Sequence, residues 1–431
     1  MKNLVIYLAA LIIAIPGKAQ EKEYARGVIE VLASPEFKGR GYVGNGHMMA
    51  ARYIAGEFSK NGLEGLFNTN YFQRFPISIN SFPSKMQLDI DGVRLAPGSE
   101  YLVHPASPSC KGNFSTFYIE KSQLTSPDII STIVREAQGK IIIIDSRAEA
   151  DTDREDAKKA GELINFLSFS EKIPSAGTVI ITNEKLTWSI SKHRVSKPVF
   201  TVKSDRVSAR PSEIRVNIKS YLSEHQAGNV AGYIPGTGSR DSFILIIAHY
   251  DHLGKMGKEA YFPGANDNAS GVSMLLSLAR YFKNNPHRYS MAFIAMAAEE
   301  SGLDGSAYFT EHPPFDLKKT VFLLNFDLAG TGDEGIKVVN GTEYEDKFKL
   351  LSDLNSASGY LQKVQKRGPA CNSDHCFFYQ KGVPCFYIYT LGGSTYYHDI
   401  NDKPVALPLS EFADYYKLMI EFIQSIRHAI D

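Results

Sequence analysis

Three long apolar runs in this chain end in residues that ligate metal ions. Residues 243–247 run into His249-Tyr-Asp251, residues 291–296 into Glu299-Glu300, and residues 321–324 into Asn325-Phe-Asp327. A fourth run, 383–388, precedes a loop holding His398, and Asp267 lies in Gly264-Ala-Asn-Asp-Asn-Ala-Ser-Gly271 behind the first run. Imidazole and carboxylate groups gathered in a partly desolvated place are costly without a partner. A metal ion supplies that partner. Two His and three carboxylates suit zinc, which takes nitrogen and oxygen ligands. Five ligands are too many for one tetrahedral ion with an open water position. They suit two ions sharing a bridging carboxylate, as in hydrolases whose paired ions stand about 3.5–4 Å apart. A solvated turn is the bland reading of Glu299-Glu300, and the company of the other four segments outweighs it.

The elements that must position these groups follow from pattern. Continuous apolar runs of this length are those of strands buried on both faces of a parallel sheet. Val272, Leu275, Leu276, Ala279 and Phe282 mark a helix face, and residues 410–430 read as a C-terminal helix with Phe412, Tyr415, Tyr416, Met419, Ile420 and Ile423 on its apolar side. The fold class is therefore α/β, a mostly parallel central sheet flanked by helices. In such sheets ligands bind outside the carboxyl ends of the strands, which is where the ligand-type residues sit. Residues 21–66 read as two helical stretches around a Gly-rich loop at 34–46. The second carries Met49, Tyr53, Ile54 and Phe58 on one face and stops at Asn61-Gly62. Between about 85 and 218 short β-like runs alternate with turn residues around one helical stretch at 154–167. That texture predicts a separate, mostly β module, so residues 20–84 and 219–431 would form the catalytic domain around an insert at 85–218.

These segments resemble those of the co-catalytic two-zinc aminopeptidase superfamily, which includes bacterial leucyl aminopeptidases, aminopeptidase Y and, more distantly, glutamate carboxypeptidase. The matching stretches are Ala248-His-Tyr-Asp-His-Leu-Gly254, Gly264-Ala-Asn-Asp-Asn-Ala-Ser-Gly-Val272, Glu299-Glu-Ser-Gly-Leu-Asp-Gly-Ser306, Asn325-Phe-Asp327 and Tyr397-His398, with Gly39-Arg40 and Asn61-Gly-Leu63 nearer the N-terminus. The resemblance implies two Zn²⁺ ions per chain. His249 and Asp327 would bind one, Glu300 and His398 the other, and Asp267 both. Asp251 would orient the imidazole of His249. Glu299 would be the general base, taking a proton from the attacking water and passing it to the leaving amine. Ser373-Asp-His375 resembles a further motif of the family near the substrate pocket, so His375 would either donate to the developing oxyanion or make a structural hydrogen bond. Tyr397, with Tyr396, would line the pocket or simply pack. The insert resembles a protease-associated domain in position and texture, and would wall the cleft. One departure is the run His398-Asp-Ile-Asn-Asp402, where the family often shows His-Thr-x-x-Asp.

Other histidines have blander expectations. His252 reads as structural or solvent-facing, and His287 and His312 as surface residues. Of the cysteines (Cys110, Cys371, Cys376, Cys385), Cys371 and Cys376 are close enough to bridge a loop, and Cys385 sits in an apolar run. Their spacing matches no common zinc module.

The chain has 431 residues, with Lys+Arg and Asp+Glu equal at 47 each. That balance leaves no electrostatic footprint for nucleic acid or an anionic membrane. Lys2, the apolar run 4–15 and small residues at Gly17 and Ala19 read as a signal peptide cleaved after residue 19, too short to span a bilayer core. Export to the periplasm or beyond follows, with a peptide as substrate, no stable membrane anchor and an oligomeric state that the sequence leaves open. Three alternatives stay open: a carboxypeptidase or dipeptidase, a glutaminyl cyclase, and a binding protein without catalysis. A carboxypeptidase needs a cation for the free carboxylate, and Lys255, Lys258 and Arg367 are the few candidates. The acidic ligand set suits a free ammonium group instead.

Overall fold

The computed structural model of the protein describes residues 16–124, 128–147, 154–207 and 210–426. The apolar run of the expected signal peptide, 4–15, lies outside the described residues, as does the end of the expected C-terminal helix beyond residue 426. That helix spans Phe412–Ser425.

The four apolar runs form adjacent parallel strands, in the spatial order Ser290–Met296, Phe243–His249, Thr320–Asp327 and Cys385–Thr390. Both faces of these strands are covered, which is why their sequences do not alternate. Ile244 and Ile246 pack into one core with Val272, Leu275 and Phe412, while Leu245 and Ile247 pack into another with Phe309 and Phe378. Leu275, Leu276 and Phe282 are fully buried, each stabilising by roughly 1.5–3 kcal/mol relative to exposure. They pin the helix Gly271–Asn284, and with it the Asp267 segment that precedes it, onto the sheet. Antiparallel strands flank the parallel centre: Tyr221–Ile234, with Phe72–Ser81 beside it, at one edge and Ile336–Val339 at the other. Phe243–His249 is the first of the four in the chain and has later strands on both sides. The connection from its carboxyl end leads to one side and that from its neighbour Thr320–Asp327 to the other, forming the crevice at which α/β sheets bind ligands.

Helix Gly46–Lys60 departs from the expected face. Its buried residues include Ala50, Ala51, Ile54, Ala55 and Phe58, whereas Met49 and Tyr53 are only partly buried. The close-packed stripe is made of alanines, which a search for large apolar residues passes over.

A second sheet is built wholly from strands between residues 87 and 218, in a mixed order whose centre, Cys110–Ile119, Ile141–Asp145, Gly177–Thr182 and Val199–Lys203, is parallel. Parallel pairing needs crossover connections. Helix Ile129–Glu136, which the sequence reading did not find, and helix Arg154–Phe169, which it did, lie between these strands. Ile142 and Ile144 pack against Ile133 and Leu167 on one face. On the other face Ile141 and Ile143 share a core with Leu253, Met256 and Phe262, which belong to the segment between His249 and Asp267. The second sheet is thus seated directly on the loops of the first.

Candidate metal centre

The carboxyl ends of the parallel strands deliver the expected groups to one place. His249 and Asp327 are the last residues of their strands. Glu299 and Glu300 lie just beyond Ser290–Met296, and His398 on the loop after Cys385–Thr390. Asp267 sits in an irregular turn entered through Gly264, at φ 60. A Cβ on Gly264 would come within 2.2 Å of Asp267 O and 2.4 Å of His252 Cδ2, so only glycine lets the turn fold back.

Two residues outside the expected set hold this turn. Arg40 is fully buried, and its guanidinium donates to five carbonyls: Tyr250 at 2.7 Å, Leu32 at 3.1 Å, Pro263 at 2.7 Å, Gly264 at 2.7 Å and Asp267 at 3.0 Å. Burial pulls Arg40 down to about 10, with Asp267 and Asp402 opposing the shift. Asp402 accepts from the backbone N–H of Asn266 at 2.9 Å and of Asp267 at 3.0 Å. The altered run after His398 therefore keeps an anchor for the Asp267 turn. Only the Gly39-Arg40 match hinted at Arg40 in the sequence.

Ligand-type atoms fall into two sets. Those of His249, Glu299 and Asp327 lie within 4.8 Å of one another, and so do those of His252, Asp267 and Glu300. Finer distances link the sets. His249 Nε2 is 3.3 Å from Asp267 Oδ1 and 3.4 Å from Asp327 Oδ1. His398 Nε2 is 3.2 Å from Asp267 Oδ2 and 3.1 Å from Glu300 Oε2. Zinc–ligand bonds of about 2.0–2.2 Å at tetrahedral angles place neighbouring ligand atoms roughly 3.3–3.6 Å apart.

The imidazole protons sharpen this fit. His249 Nδ1 lies 3.2 Å from the carbonyl of Asp251, and His398 Nδ1 lies 2.8 Å from the carbonyl of Trp188. Carbonyls only accept, so each Nδ1 carries a proton. Each neutral ring then turns a bare Nε2 lone pair toward carboxylate oxygens, and Asp267 Oδ2 has no hydrogen bond although His398 Nε2 is near. Facing lone pairs repel unless a cation lies between them. A proton or a metal ion can serve. For the side chains alone, burial would lower both imidazoles, yet Glu299 and Asp327 raise His249 and Glu300 and Asp267 push His398 up to about 11. Burial lifts Glu299 well above the carboxylate range, His249 opposing and Glu300 and Asp327 adding to it. Burial and Asp267 would lift Glu300 as well, but His398 and His252 hold it down to about 2. The residues present fit a pair of zinc ions.

Two expectations, for Asp251 and His287, need correcting, and two, for His252 and His375, are narrowed to their structural alternative. Asp251 does not meet the imidazole of His249 through its carboxylate, which is 3.9 Å away. Its carbonyl makes that contact, while the carboxylate accepts from the backbone N–H of Glu299 at 3.1 Å and of Glu300 at 3.4 Å. His252 is not solvent-facing. It is fully buried, with Nδ1 2.6 Å from Glu300 Oε1. His287 is buried, whereas His312 is exposed as expected. His375 does not reach the cavity: its Nε2 donates to Ala370 O at 2.8 Å, and its ring stacks on Tyr387 at 5.0 Å. It opens the short helix His375–Gln380, where the backbone uses it. The preceding loop is closed by a Cys371–Cys376 disulfide, and Asn325 donates to Ser373 Oγ at 2.8 Å.

A cavity of about 230 Å³ opens onto these groups. It is lined by His249, Asp267, Glu299, Asp327 and His398 and by Leu328, Asn372, Tyr387, Tyr389 and Tyr397. Tyr387 donates to Asp327 Oδ2 at 3.3 Å. Tyr397 stacks on the ring of His398 at 3.9 Å. Tyr389 carries an exposed neighbour, Arg367, whose Nη1 is 3.4 Å from the phenol oxygen.

Residues 229–423, which hold every one of these ligand-type side chains, match the profile of peptidase family M28. The chain is similar to that peptidase family over this stretch, and the rest of it lies outside the match. Aminopeptidase YwaD of Bacillus subtilis is 27% identical over 312 residues, which are 68% of this chain and 62% of the relative. The chain thus spans about three-fifths of that relative's length. Two solved structures share the fold of the chain, the second sheet included. BSAP, a zinc aminopeptidase from Bacillus subtilis, superposes with a TM-score of 0.68 at 19% identity, over 93% of this chain and 94% of that one. An M28 peptidase precursor from Shewanella amazonensis SB2B superposes with a TM-score of 0.69 at 17% identity, over 95% and 97%. Their likeness is one of architecture: the curled sheet, its helices and the added, mostly β region. Among the described residues no helix of the chain is long and apolar enough to cross a membrane.

Proposed function

We propose that the protein is an exported aminopeptidase that removes the first residue of peptides, using two zinc ions per chain. In this reading His249 and Asp327 hold one ion, Glu300 and His398 the other, and Asp267 bridges. The observation that carries it is the split carboxylate of Asp267, with Oδ1 beside His249 and Oδ2 beside His398. His252 fits less well as a ligand, because its 2.6 Å contact with Glu300 is a hydrogen-bond separation, too short for two ligands of one ion. It holds Glu300 in place instead.

Paired zinc ions supply an acidified water and a polarised carbonyl. The rest falls to the chain. Glu299, on the cavity wall, takes the proton of the attacking water and returns it to the leaving nitrogen. Asp251 fixes Glu299 through the backbone. A cavity of about 230 Å³ supports removal of single terminal residues over cleavage within a long chain. Its acidic lining suits a free ammonium group. The segment 85–218 is read as a protease-associated-like insert that walls the site, and residues 1–19 as the export signal.

Arg367 favours a second reading. Through Tyr389 it stands next to the cavity, where it could meet a substrate carboxylate, as a dipeptidase or carboxypeptidase requires. One experiment separates the readings: zinc content by elemental analysis, with mass spectrometry of a peptide offered free and N-acetylated. About two zinc per chain and N-terminal trimming of the free form alone are expected. Loss from the C-terminus, or equal cleavage of both forms, overturns the aminopeptidase reading. Absence of both zinc and cleavage leaves a binding protein.

A further inference from the structure

The second sheet and the metal centre meet through one segment, residues 185–192, which lies between the strands Gly177–Thr182 and Val199–Lys203. The contact is reciprocal. The backbone N–H of Trp188 donates to the carbonyl of His398 at 3.2 Å, and Nδ1 of His398 donates to the carbonyl of Trp188 at 2.8 Å. Lys185 Nζ donates to the carbonyls of Thr395 and Tyr397, both at 2.6 Å. Lys192 pairs at 2.8 Å with Asp304, the first residue of the helix that follows Glu299-Glu300.

This segment is itself anchored away from the centre. Trp188 is buried, its indole N–H donates to Val103 O at 2.7 Å on the second sheet, and its ring stacks on Phe262 at 4.8 Å. His398, by contrast, is not held by a strand or a helix. It sits on a loop with φ 54, a backbone region that non-glycine residues rarely occupy. Ring orientation and tautomer are both decided by the group that receives the Nδ1 proton. Here that group comes from a different sheet, 210 residues away in sequence.

We propose that residues 185–192 are a positioning element for His398, so that the segment 85–218 completes one half of the metal centre. The inference rests on the reading of His398 as a zinc ligand. It recasts the segment's role: removing it would take away the acceptor for His398 as well as any wall over the cleft. It also predicts asymmetry. Only the zinc position served by His398 depends on how the second sheet is seated, because His249 donates to a carbonyl of its own loop.

The test uses the full chain stripped of metal, titrated with Zn²⁺ against a chromophoric chelator, beside thermal melting of the metal-free form. Lys185→Met and Trp188→Ala both keep the Trp188 carbonyl but loosen its placement, so each should weaken one of the two binding steps by up to about 10-fold, the low end of the cost of losing a partner behind a metal ligand, and leave the other step in place. Lys185→Arg, which keeps donors to both carbonyls, should restore the wild-type curve. Melting of metal-free Lys185→Met should match wild type, since Lys185 is exposed. Two unchanged steps in Lys185→Met overturn the proposal, and so does equal weakening of both steps. If Trp188→Ala fails to fold, Lys185→Met alone decides. A wild-type chain that takes up fewer than two zinc ions refutes the two-zinc reading instead, so the two failures are distinguishable.

Discussion

His249 and Asp327 end strands whose every residue but Phe243 is buried, whereas Glu300 and His398 ride on loops held by side chains and carbonyls from elsewhere. The first pair is placed by the core itself. Displacing either would disturb strands covered on both faces, and close-packed interiors resist such shifts. The second pair is placed by His252, by the carbonyl of Trp188 and by the two lysines around it. Asp267 belongs to both and is fixed from outside by Arg40 and Asp402. One centre thus combines a half made rigid by burial with a half made rigid by hydrogen bonds. Polar supports can be removed one at a time, so the second half can be tuned without unfolding the sheet.

The largest expected effect comes from removing the group the halves share. Asp267→Ala should lose both zinc ions and with them all turnover, whereas His398→Ala should lose one. Elemental analysis of the two purified variants checks this. Equal zinc content in both would break the division into halves. Next is Glu299→Gln, which keeps size but loses the base. Turnover should fall by about 10²–10⁴-fold with two zinc ions still bound, read by steady-state kinetics beside metal content. Unchanged turnover would move the base elsewhere.

A smaller effect should separate the halves from within. His252→Gln removes the imidazole that meets Glu300 at 2.6 Å. Zinc affinity of the Glu300 and His398 position should drop by about 10–100-fold, with the His249 step unmoved in the same chelator titration. A shift in both steps would mean that His252 supports the site as a whole.

How much of this was legible depended on what each residue faces. The central strands were readable because two-sided burial leaves continuous apolar runs. Strand Tyr221–Ile234 was not, since its first six residues are exposed or partly buried and show no such run. Helix Glu345–Ser358 also escaped, because Leu351 and Asn355 are its only buried residues. In the centre, His249, Asp267, Glu299, Glu300, Asp327 and His398 were readable as residue types following strands. Their supports were not. Arg40 carried no local pattern, since arginine is almost never fully buried, and the contribution of Trp188 is a carbonyl that every residue possesses. His252 had a signal in its place directly after His249-Tyr-Asp251, but imidazoles there face solvent as readily as core.

The dependence on pH should be milder still, and its sign is fixed. With no metal bound, His398 is pushed up to about 11, so it is protonated at neutral pH. Its folded value is raised, so the protonated form is held throughout the range below it, and zinc must displace that proton. Apparent affinity for the His398 position should therefore rise with pH by about tenfold per unit for one proton released, and level off as pH passes about 11. Titrations between about pH 6.5 and 8.5 fall within the rising part. A flat profile there would mean that His398 meets zinc already deprotonated.

The smallest expected effect concerns Arg367, and it sharpens the comparison at the substrate's end. The cavity is lined by the carboxylates of Glu299 and Asp327 and also by Tyr389, beside which Arg367 stands. If substrates are anchored by their free amine, Arg367 has no partner in the complex, and Arg367→Ala should leave KM within about twofold. If a carboxylate is anchored, the exposed guanidinium contributes only what exposed ion pairs do, about 0.2–1 kcal/mol. That is at most about a fivefold rise in KM. Size alone cannot separate effects so close, so the measurement must be a ratio. KM of a short peptide and of its C-terminally amidated form should be compared in wild type and in Arg367→Ala. Anchoring by the amine predicts the same ratio in both proteins. A wild-type preference for the free carboxylate that vanishes in Arg367→Ala would transfer substrate anchoring to Arg367 and overturn the proposed direction of cleavage, with the two halves of the metal centre left as they are.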